Sequence, residues 1–165
     1  MAQITMRGTP ATTVGDLPEV GSRLPETAPL TAVDLSDVTL DRYAGRRLVL
    51  NIFPSIDTGV CSTSVRRFND IAAGLDNTTV ICVSNDLPFA LGRFCGAEGI
   101  ANVATLSGFR SDFGDVMGVT FADGRMRGLL SRAVVVVDTD GTVIHTEQVS
   151  DTSHEPDYDA AVAAL

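Results

Sequence analysis

Residues 46–84 decide the fold of this chain: RRLVLNIFPSIDTGVCSTSVRRFNDIAAGLDNTTVICVS. The run at 46–53 is almost entirely apolar, which predicts a strand that is buried on both faces. After Cys61, apolar residues recur at spacings of three and four, which is typical of a helix with one buried face. A second apolar run at 79–84 predicts another buried strand. Strand, helix and strand at this length form a βαβ unit, whose two strands are expected to be parallel.

The segments on either side of this unit predict one domain over residues 1–165. An N-terminal hairpin is expected over 3–14 with its turn at 8–10. After the second strand, Asp86 is expected to cap a helix over 87–95 that Gly96 ends. The remaining expected elements are an extended connection at 15–30, a short strand at 30–35, a turn at 40–45, a short strand at 101–106, a short helix at 111–117, a hairpin of strands 133–137 and 142–148, and a last helix at 156–165. This order is that of an α/β, thioredoxin-like fold: a central mixed sheet flanked by helices, with an added N-terminal β-hairpin.

The composition disfavours several kinds of partner. A net charge of −9 and a pI near 4.5 argue against nucleic acid and against an anionic membrane surface. No apolar run approaches the roughly 20 residues that cross a bilayer, and the first residues lack a secretory pattern. Three cysteines are too few for a secreted disulfide scaffold and suit a cytoplasmic protein whose thiols cycle between redox states. We therefore expect a cytoplasmic location.

The strongest candidate for chemistry is Cys61, at the junction between the first buried strand and its helix. The first turn of a helix favours a thiolate, because its backbone N–H groups and dipole stabilise negative charge. Thr58 and Pro54 complete the spacing Pro-x-x-x-Thr-x-x-Cys, in which the threonine hydroxyl can lie beside the sulfur. A positioned thiolate of this kind needs an electrophile, and a peroxide O–O bond is one. The alternative is a buried cysteine that acts only as a small hydrophobic residue.

Residues 54–69, PSIDTGVCSTSVRRFN, resemble the active-site signature of the thiol peroxidase subfamily of peroxiredoxins, the atypical 2-Cys type. The resemblance covers essentially the whole chain and is also visible at VSNDLPFA, RFC, LSRA and VD, which are residues 83–90, 93–95, 130–133 and 137–138. One departure is Gly59, where that family more often has proline. Glycine adds backbone freedom next to the cysteine and removes no chemical group.

The resemblance implies a role for each matched residue. Cys61 would be the peroxidatic cysteine, which attacks hydrogen peroxide or an organic hydroperoxide and becomes a sulfenic acid. Thr58 and Arg132 would bind and polarise the peroxide oxygens, and Pro54 would shield the sulfenate. Cys95 would be the resolving cysteine of an intrachain disulfide, which a thioredoxin-type reductant then reduces. From the sequence alone, a solvated arginine at the start of a strand is the default interpretation of Arg132. A homodimer is also implied by the family.

The two cysteines are separated by 34 positions, which include a helix, a strand and most of a second helix. A disulfide needs Cα atoms within about 7 Å, so its formation is predicted to require local unwinding around Cys61, Cys95 or both. The third cysteine, Cys82, lies inside the predicted strand at 79–84 and is expected to be buried and unreactive.

Other chemistries have weaker support in the sequence. His145 and His154 lie in different segments, and the chain has no Cys-x-x-Cys pair, so no metal site and no bound cofactor are expected. A thioredoxin-like disulfide oxidoreductase is disfavoured because Ser62 follows Cys61 where such enzymes begin a Cys-x-x-Cys turn. A Cys–His hydrolase is disfavoured because neither histidine has a helper near the cysteine. A binding protein that is switched by a Cys61–Cys95 disulfide remains open.

Overall fold

The computed structural model describes all 165 residues and places a seven-stranded mixed sheet at the centre of the protein. The elements are β1 (Gln3–Met6), β2 (Thr9–Thr12), β3 (Leu30–Thr31), β4 (Asp37–Val38), β5 (Arg47–Ile52), α1 (Gly59–Ala72), β6 (Thr78–Ser84), α2 (Pro88–Glu98), β7 (Ala104–Ser107), α3 (Phe113–Val116), β8 (Ala133–Val137), β9 (Val143–Gln148) and α4 (Tyr158–Ala163). The strand order is β4-β3-β7-β6-β5-β8-β9, and β1 and β2 form a separate two-stranded sheet. The α/β, thioredoxin-like architecture with an extra hairpin is therefore confirmed.

The predicted βαβ unit is confirmed as the centre of the sheet. β5 pairs with β6 in parallel and with β8 in antiparallel orientation. Alternate residues of β5 enter different cores, since Leu48 and Leu50 belong to one apolar cluster and Val49 to another. Both faces of the strand are buried in these clusters, which explains why Leu48, Val49 and Leu50 are all apolar instead of alternating with polar residues.

The helices cover the two faces of the sheet. α3 contributes Phe113, which is fully buried in the larger core cluster. α1 and α4 lie on the opposite face, where the rings of Phe68 and Tyr158 meet edge to face with centroids 5.1 Å apart. None of the α-helices combines the length and apolar character that are needed to span a bilayer.

The N-terminal hairpin is present, but its expected turn at 8–10 is wrong. The turn is made by Arg7 and Gly8, with φ of 50° and 83°, and Pro10 is paired within β2. Two consecutive positive φ values give the strand-matching twist of a tight hairpin, a conformation that an arginine adopts at a cost. Pro10 fits because β2 is an edge strand, where a missing N–H breaks no ladder.

The helix after β6 also differs from expectation at both ends. Its N-cap residue is Leu87, whose side chain makes no capping bond, so the prediction that Asp86 caps this helix is wrong. The helix continues through Gly96 and ends at Gly99, which has the left-handed φ of 66° typical of a helix C-terminus. Cys95 consequently lies within the last turns of α2 rather than at its end. Smaller differences are that 30–35 holds only a two-residue strand, and that 40–45 contains a short 3₁₀ helix.

Candidate active site

Cys61 lies in the first turn of α1, as the sequence predicts. The thiol is fully buried among the apolar side chains of Phe53, Ile56, Val65 and Leu91. Thr58 is the N-cap residue of the helix, with extended backbone angles, and its hydroxyl oxygen accepts a hydrogen bond from the Cys61 N–H at 3.4 Å. The cap stabilises the start of the helix, where the dipole favours negative charge on the sulfur.

The Thr58 hydroxyl is engaged with the backbone on both sides. It donates to the Ser55 carbonyl at 3.2 Å and accepts from Cys61 N–H, so its hydrogen points away from the helix. In this structure the hydroxyl positions the backbone of Cys61, a role that the sequence analysis does not predict. A substrate oxygen would have to replace the Ser55 carbonyl as the acceptor of that hydroxyl.

Arg132 reaches Cys61 because of the sheet register. Ile52, at the end of β5, pairs with Ala133, at the start of β8, so the residue before Ala133 lies beside the end of β5. The Arg132 Nη2 donates to Cys61 Sγ at 3.3 Å and to the Thr152 carbonyl at 3.0 Å. The side chain is 1% exposed, which excludes a solvated surface arginine. A permanent positive charge therefore lies in contact with the sulfur.

The guanidinium of Arg132 is only partly satisfied. Its Nε and Nη1 are buried and have no hydrogen-bond partner. Buried donors are nearly always paired, so two free donors beside a thiol suggest a site that awaits an acceptor. The two oxygens of a peroxide are acceptors of the required kind, and an oxyanion that leaves during cleavage would be stabilised by the same groups.

A pocket of about 690 Å³ opens at this site. Pro54, Thr58 and Arg132 all contribute to its wall, so three of the expected residues border one cavity, and Arg132 connects that wall to the Cys61 sulfur. Other parts of the wall come from the N-terminal hairpin and from the loops at 124–126 and 152–153. No local sequence pattern assigns these segments to the site, because their contribution depends on how distant loops fold against the end of β5.

Asp86 has a different role from the expected helix cap. Its carboxylate accepts hydrogen bonds from Ile56 N–H at 2.7 Å, from the Ser55 hydroxyl at 2.7 Å and from the Ser84 hydroxyl at 2.6 Å. It therefore fixes the loop between β5 and Cys61. The signal for this was its position after β6, because parallel neighbouring strands end at the same edge of a sheet.

Cys95 is not brought into contact with Cys61. Its half-buried sulfur lies 3.7 Å from the Thr105 hydroxyl on β7, and all three cysteines are free thiols. Burial raises the pKa of Cys95, while the Thr105 hydrogen bond acts in the opposite direction. The expected disulfide is thus absent from this conformation, and the prediction that its formation needs local unwinding stays a prediction.

Direct contacts join the helices that hold the two cysteines. Arg66 on α1 forms a forked ion pair with Glu98 on α2, at 2.9 and 3.1 Å, and its guanidinium lies over the Phe94 ring. Arg93 on α2 pairs with Asp57, just before α1, at 3.2 Å. These contacts hold α2 against α1 and against the residue just before it.

The third cysteine, Cys82, lies inside β6. Cys82 is fully buried, and burial raises its pKa to about 12, which fits the expectation of an inert thiol. The Asn51 amide donates to its sulfur at 3.6 Å. No group of three or more histidine, cysteine, aspartate or glutamate side chains is arranged to hold a metal ion.

The chain is similar to known proteins over its whole length. The family model described as Redoxin matches residues 19–162. The thiol peroxidase of Corynebacterium glutamicum is 54% identical over 165 residues, which cover 100% of this chain and 99% of that protein. The thiol peroxidase of Mycobacterium tuberculosis is 55% identical over the same length and with the same coverage.

Solved structures give the same result. A peroxiredoxin-like protein from Aquifex aeolicus has a TM-score of 0.93 at 37% identity, covering 99% of this chain and 95% of that one. The thiol peroxidase from Chromobacterium violaceum has a TM-score of 0.91, covers 99% and 95%, and at 22% identity shows the shared fold. The chain belongs to the thiol peroxidases, thiol-dependent peroxide-reducing enzymes of the redoxin family.

Proposed function

We propose that this protein reduces hydrogen peroxide and organic hydroperoxides through Cys61, with Cys95 as the resolving cysteine and a thioredoxin-type dithiol as the reductant. The observation that supports this most strongly is the contact between Arg132 and Cys61 Sγ at 3.3 Å, beside two buried donors without partners. A cysteine sulfur in contact with a fixed positive charge, and free donors on an arginine that lines a pocket, are groups that cleavage of an O–O bond can use.

In the first step, the Cys61 thiolate attacks one peroxide oxygen and the O–O bond breaks. The sulfur is oxidised to a sulfenic acid, and the other oxygen leaves with a proton as water or an alcohol. Arg132 stabilises the thiolate and then the departing oxyanion. Thr58 binds a peroxide oxygen once its hydroxyl turns from the Ser55 carbonyl, and Pro54 shields the sulfenate from further oxidant.

In the second step, the Cys95 thiol attacks the sulfenic sulfur, a disulfide forms and water leaves. Because the Cys61 sulfur is fully buried and Cys95 contacts Thr105, α1, α2 or both must open locally before the sulfurs meet. Two electrons from the external dithiol then restore both thiols, while the reductant becomes a disulfide.

We further propose that residues 1–165 act as one domain, although the N-terminal hairpin precedes the Redoxin match. Its backbone is joined to the rest of the protein by bonds from Thr5 N–H to the Ser150 carbonyl and from Thr152 N–H to the Thr5 carbonyl. A cytoplasmic location is proposed because a cycling disulfide needs a reducing compartment. A homodimer is proposed because Leu87 and Phe89, at the start of α2, are 53% and 67% exposed.

The test follows peroxide consumption with thioredoxin, its reductase and NADPH. The native protein is expected to turn over many times, Cys61→Ser not at all and Cys95→Ser about once, while Cys82→Ser serves as the matched control with near-native activity. Slow consumption of less than one equivalent by the native protein would contradict the enzyme and support a redox-switched binding protein instead.

A further inference from the structure

The wall of the active-site pocket is positively charged in an acidic protein. Arg7, Arg125 and Arg132 are among the lining residues, and no aspartate or glutamate is. The chain as a whole has a net charge of −9. The nearest carboxylates in the sequence are bonded elsewhere: Asp57 to Arg93, Asp123 to Thr12, and Asp151 to Thr5, Gly8 and Ser153. The charged residues that line the pocket are therefore all positive, in a protein whose net charge is negative.

Two of these arginines have no partner within the protein. Arg132 is buried and in contact with Cys61, whereas Arg7 and Arg125 are exposed. Neither of the exposed pair forms a hydrogen bond or an ion pair, in contrast to Arg66, which is paired with Glu98. Their charges are free to meet a ligand that enters the pocket.

The position of Arg7 is also unusual for its backbone. It occupies the first turn position of the β1–β2 hairpin with φ of 50°, where glycine or asparagine is favoured. The hairpin turn places a long cationic side chain at the pocket in spite of this conformational cost. An asparagine there would relieve the backbone and remove the charge.

The pocket wall also contains apolar side chains. Met6, Val60 and Met126 line the pocket. The hairpin packs tightly against the opposite loop, since a Cβ on Gly124 would lie 2.7 Å from the Met6 methyl carbon. The volume of about 690 Å³ is far larger than hydrogen peroxide needs, because a water molecule occupies only about 30 Å³ in the liquid.

We propose that this pocket selects organic hydroperoxides that bear a carboxylate, with the O–O group at Cys61, the hydrocarbon part against Met6 and Met126, and the carboxylate between Arg7 and Arg125. This inference rests on the proposed peroxidase function and specifies its substrate class. Arg7 and Arg125 are specificity-determining residues in this arrangement. Guanidinium groups bind carboxylates through paired hydrogen bonds, and their charge also speeds the approach of an anion.

The test compares two hydroperoxides that differ in charge and by one methyl group. 4-Carboxycumene hydroperoxide and its methyl ester are reduced by the native protein with thioredoxin, its reductase and NADPH, and kcat/KM is measured for each. We expect the acid to be preferred by about fivefold at low ionic strength, which corresponds to two solvent-exposed ion pairs. The preference is expected to fall below about twofold near 0.5 M salt, where exposed charges are screened.

Variants assign the preference to the two arginines. In Arg7→Gln combined with Arg125→Gln, the acid-to-ester ratio should fall to about one, and the ratio cancels any general change in activity. Replacement of both by lysine should retain most of the preference, because the charge is kept. Arg127→Gln, an exposed arginine in the same loop but outside the pocket wall, is the matched control and should behave like the native protein.

The outcomes separate this inference from the function on which it rests. If the native protein reduces both compounds with equal kcat/KM, or if the double glutamine variant keeps the preference, the charge selection is wrong while the peroxidase function stands. If neither compound nor hydrogen peroxide is consumed, the proposed function itself fails.

Discussion

Replacement of Arg132 by methionine is expected to remove most of the peroxidase activity without unfolding the protein. The substitution keeps an unbranched apolar stem of similar width and deletes the guanidinium whose Nη2 lies 3.3 Å from Cys61 Sγ. It also removes the two buried donors that have no partner. Activity and stability should therefore respond in different ways.

The size of the effect follows from the geometry. At 3.3 Å and an effective dielectric constant of about 20, two unit charges interact by about 5 kcal/mol, which is an upper bound. Removal of one donor that stabilises a developing oxyanion typically costs about 100- to 1000-fold in rate. We expect a loss of kcat/KM in that range for hydrogen peroxide.

Stability is expected to change little. Burial of a guanidinium with unpaired nitrogens costs folding free energy, and a buried apolar side chain of similar size avoids this cost. The Thr152 carbonyl loses one partner, which costs about 1 kcal/mol and opposes the gain. The free energy of unfolding should stay within about 2 kcal/mol of the native value.

The assay measures initial rates of peroxide reduction and urea unfolding on the same samples. Arg132→Lys keeps the positive charge and loses the planar set of guanidinium donors, so its activity should lie between the native and methionine values. Arg67→Met changes an exposed arginine of α1 outside the pocket and should remain near native in activity. A methionine variant within about fivefold of native activity, or one that loses activity only because it is unfolded, would refute the role given to Arg132.

Three further predictions follow from other contacts. Glu98→Gln removes the ion pair with Arg66 between α1 and α2. Disulfide formation after a peroxide pulse, measured by stopped flow, should therefore accelerate by about two- to fivefold. A slower reaction would contradict the proposed opening. The hydroxyls of Ser153 and Thr5 hold the pKa of Asp151 well below its usual range. The native protein should therefore lose stability as the pH falls below the ordinary carboxyl pKa. Asp151→Asn should be less stable at pH 7 and should show a shallower acid dependence in denaturant titrations. Cys82 should be alkylated by iodoacetamide only on unfolding, because burial raises its pKa to about 12; rapid labelling in the native state would show that its surroundings open.

Local sequence patterns predict the sheet centre well, because that part of the fold depends on residues close in the chain. The apolar run that forms β5 and the helical spacing after Cys61 specify the βαβ unit without reference to distant contacts. Cys61 in the first helical turn follows from the same short segment.

The features that sequence patterns do not predict depend on tertiary contacts or on unfavourable backbone angles. Asp86 is of a residue type that commonly caps helices. Its carboxylate instead accepts hydrogen bonds from Ile56 and Ser55, in the loop after β5. Of two glycines near the end of α2, only Gly99 takes the left-handed conformation. Arg7 at a positive φ contradicts ordinary turn preferences, so the hairpin turn was expected one residue too late. The burial of Arg132 depends on the β5–β8 register, which no local pattern encodes.

The most direct test of the account is the intact mass of the protein after one equivalent of hydrogen peroxide, with peptide mapping of the linked cysteines. The native protein is predicted to lose two hydrogens and to contain a Cys61–Cys95 disulfide, while Cys95→Ser gains one oxygen on Cys61 and Cys61→Ser remains unchanged. A native protein that keeps the added oxygen, or a disulfide that joins Cys82 instead, would contradict the assignment of Cys95. Oxidation of Cys61→Ser at the native rate would contradict the assignment of Cys61.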